Sequence, residues 1–372
     1  MFGHLPEMVT WLNPFFKWMP GAVAVQAFFV LSGFYMSMIS TNKYSDLPVK
    51  YFYYSRLLKI FPVYYVVLIG SFLALLVVSQ IGLDIYDYGY TAMTGYDYPI
   101  LIANVIFQSF GYLDILGSLL LFVSHLTLIG QDILYGLVAT PDGLITSGEW
   151  RNTEVLQALG RKLDDGSGAF IWQPRSDVPY MPLEYYLLIP QAWSLGLELI
   201  FYATVPFLMK IKTSKIIFVT IIALSVRVWA LEATGLAGDG YFEYKFYPFE
   251  FCFFLSGMLA YRAHEFLQNK QYVFVQRYRY VGLALILILA LTYGGLPDPK
   301  NWIFYCALVV ILPLCFQFDP NVRTSDKSSL WDKFDRFAGD ISYPLYICHV
   351  LVITLAYALF WEQIYAVGRI VG

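Results

Sequence analysis

The stretch GAVAVQAFFVLSGFYMSMI (21–39) runs from Gly21 to Ile39 without a charged residue. Crossing a bilayer takes roughly 20 mostly apolar helical residues, and this run is of that length. Runs of the same kind recur at 60–79, 186–209, 215–235, 246–262, 279–295, 301–318 and 341–360, and 98–138 is apolar over twice the length of one span. Lipid offers no partner for a backbone N–H or C=O, and a helix satisfies both within itself. The fold class expected is therefore all-α, a polytopic transmembrane helical bundle.

Composition agrees. Of 372 residues, 58% are hydrophobic and 14% charged, with a mean hydropathy of +0.58. Soluble domains carry about a quarter charged residues, so a soluble enzyme, a disordered chain and a nucleic-acid binder are excluded together. Lys and Arg number 24 against 27 Asp and Glu, net −3, which gives no field to attract a polyanion. Aromatic residues make up 19% of the chain, enough for belts at two interfaces and for rings lining a polar cavity. Cys252, Cys306, Cys315 and Cys348 sit in apolar runs with no metal or disulfide spacing, and read as small core hydrophobes.

Charge asymmetry orients the spans. Lys43, Lys50, Arg56 and Lys59 crowd the connection after the first span, Lys210, Lys212 and Lys215 mark another, and Arg262, Lys270, Arg277 and Arg279 a third. These are read as cytoplasmic. The segment 81–97, with Asp84, Asp87 and Asp97 and no Lys or Arg, is read as outside. The 186–209 helix then ends inside, so the polar segment 139–184 begins outside and 98–138 holds two passes. That gives about ten spans in a single domain over 1–372, with an extramembrane capping loop at about 139–184. Residues 1–18 are apolar but broken by Pro6, Asn13 and Pro14. They carry no basic n-region, and read as the outer end of a first helix whose body is truncated.

Ionisable and polar side chains at bilayer depth each call for a reason. In QAWSLGLELIFY (191–202) helical spacing places Gln191, Ser194, Glu198 and Tyr202 on one stripe, with Trp193 beside it. The stripe serves as an interhelical clamp or as the wall of a reaction cavity, and spacing leaves both open. Ser342, Tyr346 and His349 share a face of the last span; a helical His there is a packing residue or a contact to substrate. Arg227 is read as snorkelling to the outer interface, Glu250 as a solvated rim residue, and Asn104 with Gln108 as helix–helix glue. His125 is read as structural, His264 as part of a basic loop, and His4 by itself as an exposed terminal histidine.

Five ordered segments resemble the acyltransferase 3 family of polytopic membrane O-acyltransferases. PGAVAVQAFFVLSGFYM (20–36) is similar to its Gly-Val-Asp-x-Phe-Phe-Val-x-Ser-Gly-Phe signature, and YSRLLKIFPVYY (54–65) to its Arg-Arg-x-x-Arg-Ile-Tyr-Pro motif, with Arg56, Lys59 and Pro62 on matching positions. NVIFQSF (104–110) with WSLGLELIFY (193–202) resembles its Asn-Leu-x-Phe and Trp-Ser-Leu-x-x-Glu-x-x-Phe-Tyr pair. FCFFLSGMLAY (251–261) and SYPLYICHVLV (342–352) resemble its late helices. The chain departs in having Gln26 where the family has an acid, Ser55 for the first arginine of the basic motif, and no residue at the arginine position upstream of its characteristic histidine, because it starts at Met1.

The resemblance implies acyl transfer, acetyl in the first instance, from acyl-CoA to a hydroxyl of a sugar or surface glycan. It implies a multi-pass protein of the bacterial cytoplasmic membrane, with acetyl-CoA as donor substrate and no permanently bound cofactor or metal. His4, the only histidine ahead of the Phe-Phe-Val motif, takes the place of the family histidine and becomes the general base or a transient acyl carrier. Glu198 is its orienting partner. Ser194, Tyr202 and Trp193, with His349, would contact the reacting groups and steady the oxyanion, while Arg56 and Lys59 suit the phosphates of coenzyme A. Positive-inside topology accounts for that basic pair equally well. The rival readings are a glycan transporter or flippase, against which no repeat between the halves is found, and a non-catalytic truncated relative.

Overall fold

Each of the eight span-length runs overlaps a helix among the described residues. The structure, a computed structural model, describes residues 20–81, 113–140, 143–146, 181–233, 240–269, 279–296, 299–316, 337–352, 355–356 and 359. His4, Asn104 and Gln108 lie outside the described residues. The helices are α1 (Gly21–Asn42), α2 (Val49–Ile81), α3 (Ile115–Thr127), α4 (Gln131–Leu134), α5 (Trp193–Leu208), α6 (Thr213–Ala233), α7 (Gly240–Tyr244), α8 (Tyr247–Asn269), α9 (Arg279–Leu291), α10 (Lys300–Cys315) and α11 (Phe337–Val352). Among the described residues α1, α2 and α6 are long and apolar enough to cross a membrane, and α3, α9, α10 and α11 are shorter apolar helices. The fold is a helical membrane bundle.

Among the described residues a short sheet is the exception to helix. Strands β1 (Leu137–Thr140), β2 (Gly143–Thr146) and β3 (Met181–Pro182) form an antiparallel sheet in the order β2-β1-β3, with Leu137 opposite Thr146 and Val138 opposite Pro182. β1 is thus paired on both sides, and the flanking apolar residues have something to pack on.

The chain divides into two compact units: Met1–Trp11, Leu58–Leu197 and Ser342–Gly372 form one, Leu12–Leu57 and Glu198–Ile341 the other. In the first, Leu121 of α3 joins Leu134, Leu183, Tyr186 and Leu187 in a buried cluster. α3 starts on Asp114, whose side chain accepts from the Gly117 N–H at 2.6 Å, and ends on Leu128. Leu128 has φ +64°, costly for a residue with a Cβ, yet its side chain is fully buried. Its carbonyl oxygen lies where a Cβ at Gly196 of α5 would fall, so α5 passes directly over this turn. α2 continues through Pro62, which removes an N–H from the helix ladder; nearby, the Tyr343 hydroxyl donates to the Ile60 carbonyl at 2.8 Å.

The second unit is built on α1 against α8. Hydrophobic force is weak between helices in lipid, so close backbone approach through small residues carries the packing. A Cβ on Gly33 would overlap the Phe254 carbonyl, and one on Gly257 the Val30 carbonyl, so each glycine admits the other helix's backbone. Phe254 is stacked between Phe29 and Phe201, with centroid distances of 4.6 and 4.4 Å. α5 contains Pro206, and the Tyr53 hydroxyl donates to the Ala203 carbonyl at 2.9 Å beside the interrupted ladder.

Candidate functional site

In the second unit, Glu198 and Tyr202 lie four residues apart on α5, one turn along the same face. Both are buried. The Tyr202 hydroxyl lies 3.3 Å from Ser32 Oγ of α1, and Glu198 acts on it electrostatically from one turn away. Ser32, Tyr202 and Glu198 thus form a buried polar row across α1 and α5, in which either hydroxyl can donate to the other. The charge of Arg56 acts on the same hydroxyl.

Arg56 sits half-buried near the start of α2, where its Nη1 reaches Met36 Sδ at 3.8 Å and its Nε the Ser55 hydroxyl at 3.2 Å. The field around it is visible at Tyr44, in the connection between α1 and α2. Burial pushes the Tyr44 phenol up, but hydrogen bonds with Ser55 and Lys43 and the charges of Lys43 and Arg56 outweigh burial and bring it below its ordinary value. An anion reaching this connection meets a positive site that already favours phenolate. Lys59, three residues beyond Arg56 on α2, is exposed.

In the first unit, Trp193 and Ser194 open α5, and Ser194 meets α11. Ser194 Oγ and the Tyr346 hydroxyl are 2.6 Å apart, Tyr346 donates to the Gln191 carbonyl at 3.0 Å, and Gln191 Nε2 donates to the Ile347 carbonyl at 2.7 Å. Ser194 Oγ also lies 3.2 Å from the Gln191 carbonyl, so the two hydroxyls share that acceptor and either can donate to the other. His349 Nδ1 lies 2.5 Å from the Tyr346 carbonyl, which requires a proton on Nδ1. The Trp193 ring meets Tyr135 edge-on at 6.4 Å. Gln191 Oε1 is buried with no hydrogen-bond partner among the described residues. His125 spends both nitrogens on backbone, Nδ1 on the Leu121 carbonyl at 2.7 Å and Nε2 on the Leu188 N–H at 3.3 Å, in keeping with a structural role.

The sequence-derived candidates therefore fall into two groups. Arg56, Glu198 and Tyr202 share one unit, with Ser32 added by the structure; Lys59, Trp193, Ser194 and His349 belong to the other. Among the described residues no group of three His, Cys, Asp or Glu is placed to hold a metal ion.

Three readings change. Arg227 does not snorkel and Glu250 is not on a rim: both are buried, and Arg227 Nη1 lies 2.6 Å from Glu250 Oε1. Their signal in the sequence was a pair of opposite charges on successive spans. That pattern shows a partner is possible, not which way either helix is turned. His264 is buried rather than part of a loop, and its Nδ1 meets the Pro313 carbonyl at 2.7 Å, at the C-terminal turn of α10 where carbonyls lack helical partners.

A family model described as an acyltransferase domain matches residues 1–371. No curated protein and no solved structure matches the chain.

Proposed function

Because the chain belongs to the acyltransferase 3 family, and is by that a membrane acyltransferase, we propose that it transfers an acyl group, acetyl in the simplest case, from acyl-CoA to a hydroxyl of a sugar or surface glycan at a bacterial inner membrane. The hydroxyl oxygen attacks the thioester carbonyl, the C–O bond forms, and the C–S bond breaks. The hydroxyl proton passes to a base and from it to the departing thiolate. A sugar hydroxyl needs that base near neutral pH, and an imidazole suits it; His4 is the residue proposed. Glu198 orients the imidazole and balances its charge when protonated. Arg56 and Lys59 take the donor phosphates, and Trp193, Ser194, Tyr202 and His349 surround the reacting groups.

One observation carries this reading: Glu198 is buried, with Tyr202 and Ser32 beside it in one polar row. Its burial costs several kcal/mol, which packing alone does not call for. The test uses the purified full chain in proteoliposomes with radiolabelled acetyl-CoA and a panel of p-nitrophenyl glycosides. Alkali-labile label on a sugar hydroxyl is expected, and it should disappear in His4→Ala while the variant still elutes as a folded protein. Movement of glycoside across the membrane without label would instead identify a transporter.

A further inference from the structure

Gln26 of α1 has an amide committed at both ends. Its Nε2 donates to Glu250 Oε1 at 3.1 Å and to the Glu243 carbonyl at 2.9 Å, and its Oε1 accepts from the Tyr305 hydroxyl. Arg227 makes the same two contacts from the other side, Nη1 to Glu250 Oε1 and Nη2 to the Glu243 carbonyl. Two donors from different helices thus converge on one carboxylate oxygen and one carbonyl. One donor is charged and balances Glu250; the other is neutral. A side chain at position 26 must offer N–H or O–H toward Glu250 and an acceptor toward Tyr305 without adding charge, and an amide does both.

The placement of this cluster gives it a consequence. Gln26, Val30 and Gly33 lie on one stripe of α1, facing Glu250, Phe254 and Gly257 on one stripe of α8. The glycine contact lets the two backbones approach, but dispersion between apolar surfaces tolerates sliding. A polar contact with a single satisfied geometry does not, and fixing register is the best-attested use of buried polar groups. α1 carries Ser32 to the Tyr202 hydroxyl, so its register decides whether that contact, one turn from Glu198, is made.

We propose that Gln26 is a positioning residue: clamped by the Arg227–Glu250 pair, it sets the register of α1 on α8 and so holds Ser32 against Tyr202 beside Glu198. This rests on the reading of Glu198 and Tyr202 as part of the reaction centre. The ionisable residues around Gln26 among those described are Arg227 from α6, Glu243 from α7, Glu250 and Cys252 from α8, Tyr305 from α10 and Tyr293 after α9; α1 itself carries no Asp, Glu, Lys, Arg or His.

Gln26→Glu is the informative variant, because it keeps the shape and exchanges a donor for a charge. Ionised, the new carboxylate faces Glu250 and the Glu243 carbonyl, with one arginine to serve two acids. Protonated, it offers an O–H where the amide N–H was. In proteoliposomes at pH 8, kcat should fall about tenfold, equivalent to about 1.4 kcal/mol, with the KM for acetyl-CoA unchanged. At pH 5.5 the ratio to wild type should return to within about twofold. The reciprocal pair Gln26→Glu/Glu250→Gln should restore turnover at pH 8. Gln26→Leu, which keeps the packing, should fold and still lose kcat.

Wild-type kcat in Gln26→Leu, or a loss in Gln26→Glu that neither acid nor the reciprocal change reverses, overturns the proposal. Thermal unfolding gives a second readout that needs no turnover: the Tm of Gln26→Glu relative to wild type should rise as pH falls, and a constant difference overturns the clamp. The two failures separate. Full activity in Glu198→Gln removes the reaction centre, whereas inert Gln26 variants in a Glu198-dependent enzyme remove only the clamp.

Discussion

At Glu198 the structure concentrates what a single side chain can contribute. The carboxyl has lost bulk water and shares its face of α5 with the Tyr202 hydroxyl, which Ser32 meets at 3.3 Å, so a base beside it would act in a medium of low dielectric. Replacing it with Gln keeps the shape and removes the charge. Glu198→Gln is expected to lower kcat by about 10² to 10⁴, the usual range for lost acid–base assistance, with the elution profile and melting unchanged; comparable kcat would return Glu198 to a packing role. Tyr44 tests the donor side. Its phenol is drawn below the ordinary value although burial works the other way, because Ser55, Lys43 and Arg56 favour the anion. A depressed pKa adds stability only above the unfolded-state value and is lost as pH falls through the folded one, so nothing is expected near neutrality. The readout is the alkaline absorbance titration, as the difference between wild type and Tyr44→Phe. Saturating coenzyme A should shift that ionisation upward, since bound phosphates cancel the cations that lower it; an unmoved titration would place the donor elsewhere.

Among the elements, the α1–α8 pair shows how closely packing is specified. Gly33 and Gly257 each lie where the opposing helix's carbonyl leaves no room for a methyl group, while a Cβ on Gly21 would meet nothing within 4 Å. Gly33→Ala or Gly257→Ala should therefore cost about 1–3 kcal/mol or more, as overpacking does, and Gly21→Ala should stay within about 0.5 kcal/mol. Denaturant titration of the reconstituted protein reads both, and equal effects at the three glycines would remove the backbone contact. The existence of these helices was legible because a run such as 21–39 has no other satisfactory state in lipid. The start of α2 was less so: the sequence placed a span from 60, yet the helix begins at Val49 and includes Lys50, Arg56 and Lys59, because those side chains can reach an aqueous face without breaking the ladder. The partners of Arg227, Glu250 and His264 were not legible. Hydropathy reports that a segment is buried in lipid or protein, and the choice between those depends on the rotation of a helix, which contacts distant in sequence decide.

On the scale of the whole molecule, composition and motif order carried the reading furthest, since family membership rests on a pattern spread over residues 1–371 rather than on any one site. Sidedness follows from charge in the same distributed way. In the second unit the basic connections 43–50 and 210–215 and the Arg262 end of α8 collect the cations, whereas the opposite ends of α1, α6 and α8 hold Gln26, Arg227 and Glu250 in a cluster that is neutral in sum and sealed from solvent. A polyphosphate donor finds neighbouring cations on the first side; on the second the described exposed or half-buried cations are the separate Lys245 and Lys300. Single cysteines at Lys43, Lys212 and Gly21, in a background with the four native cysteines replaced, should therefore sort by a membrane-impermeant maleimide: the first two react together in inverted vesicles, Gly21→Cys in right-side-out ones. Acetyl-CoA should support transfer only when supplied to the face that labels at 43 and 212. Labelling of all three from one face would break the topology, and turnover with donor on the Gly21 face would separate the donor site from the basic connection even with the topology intact.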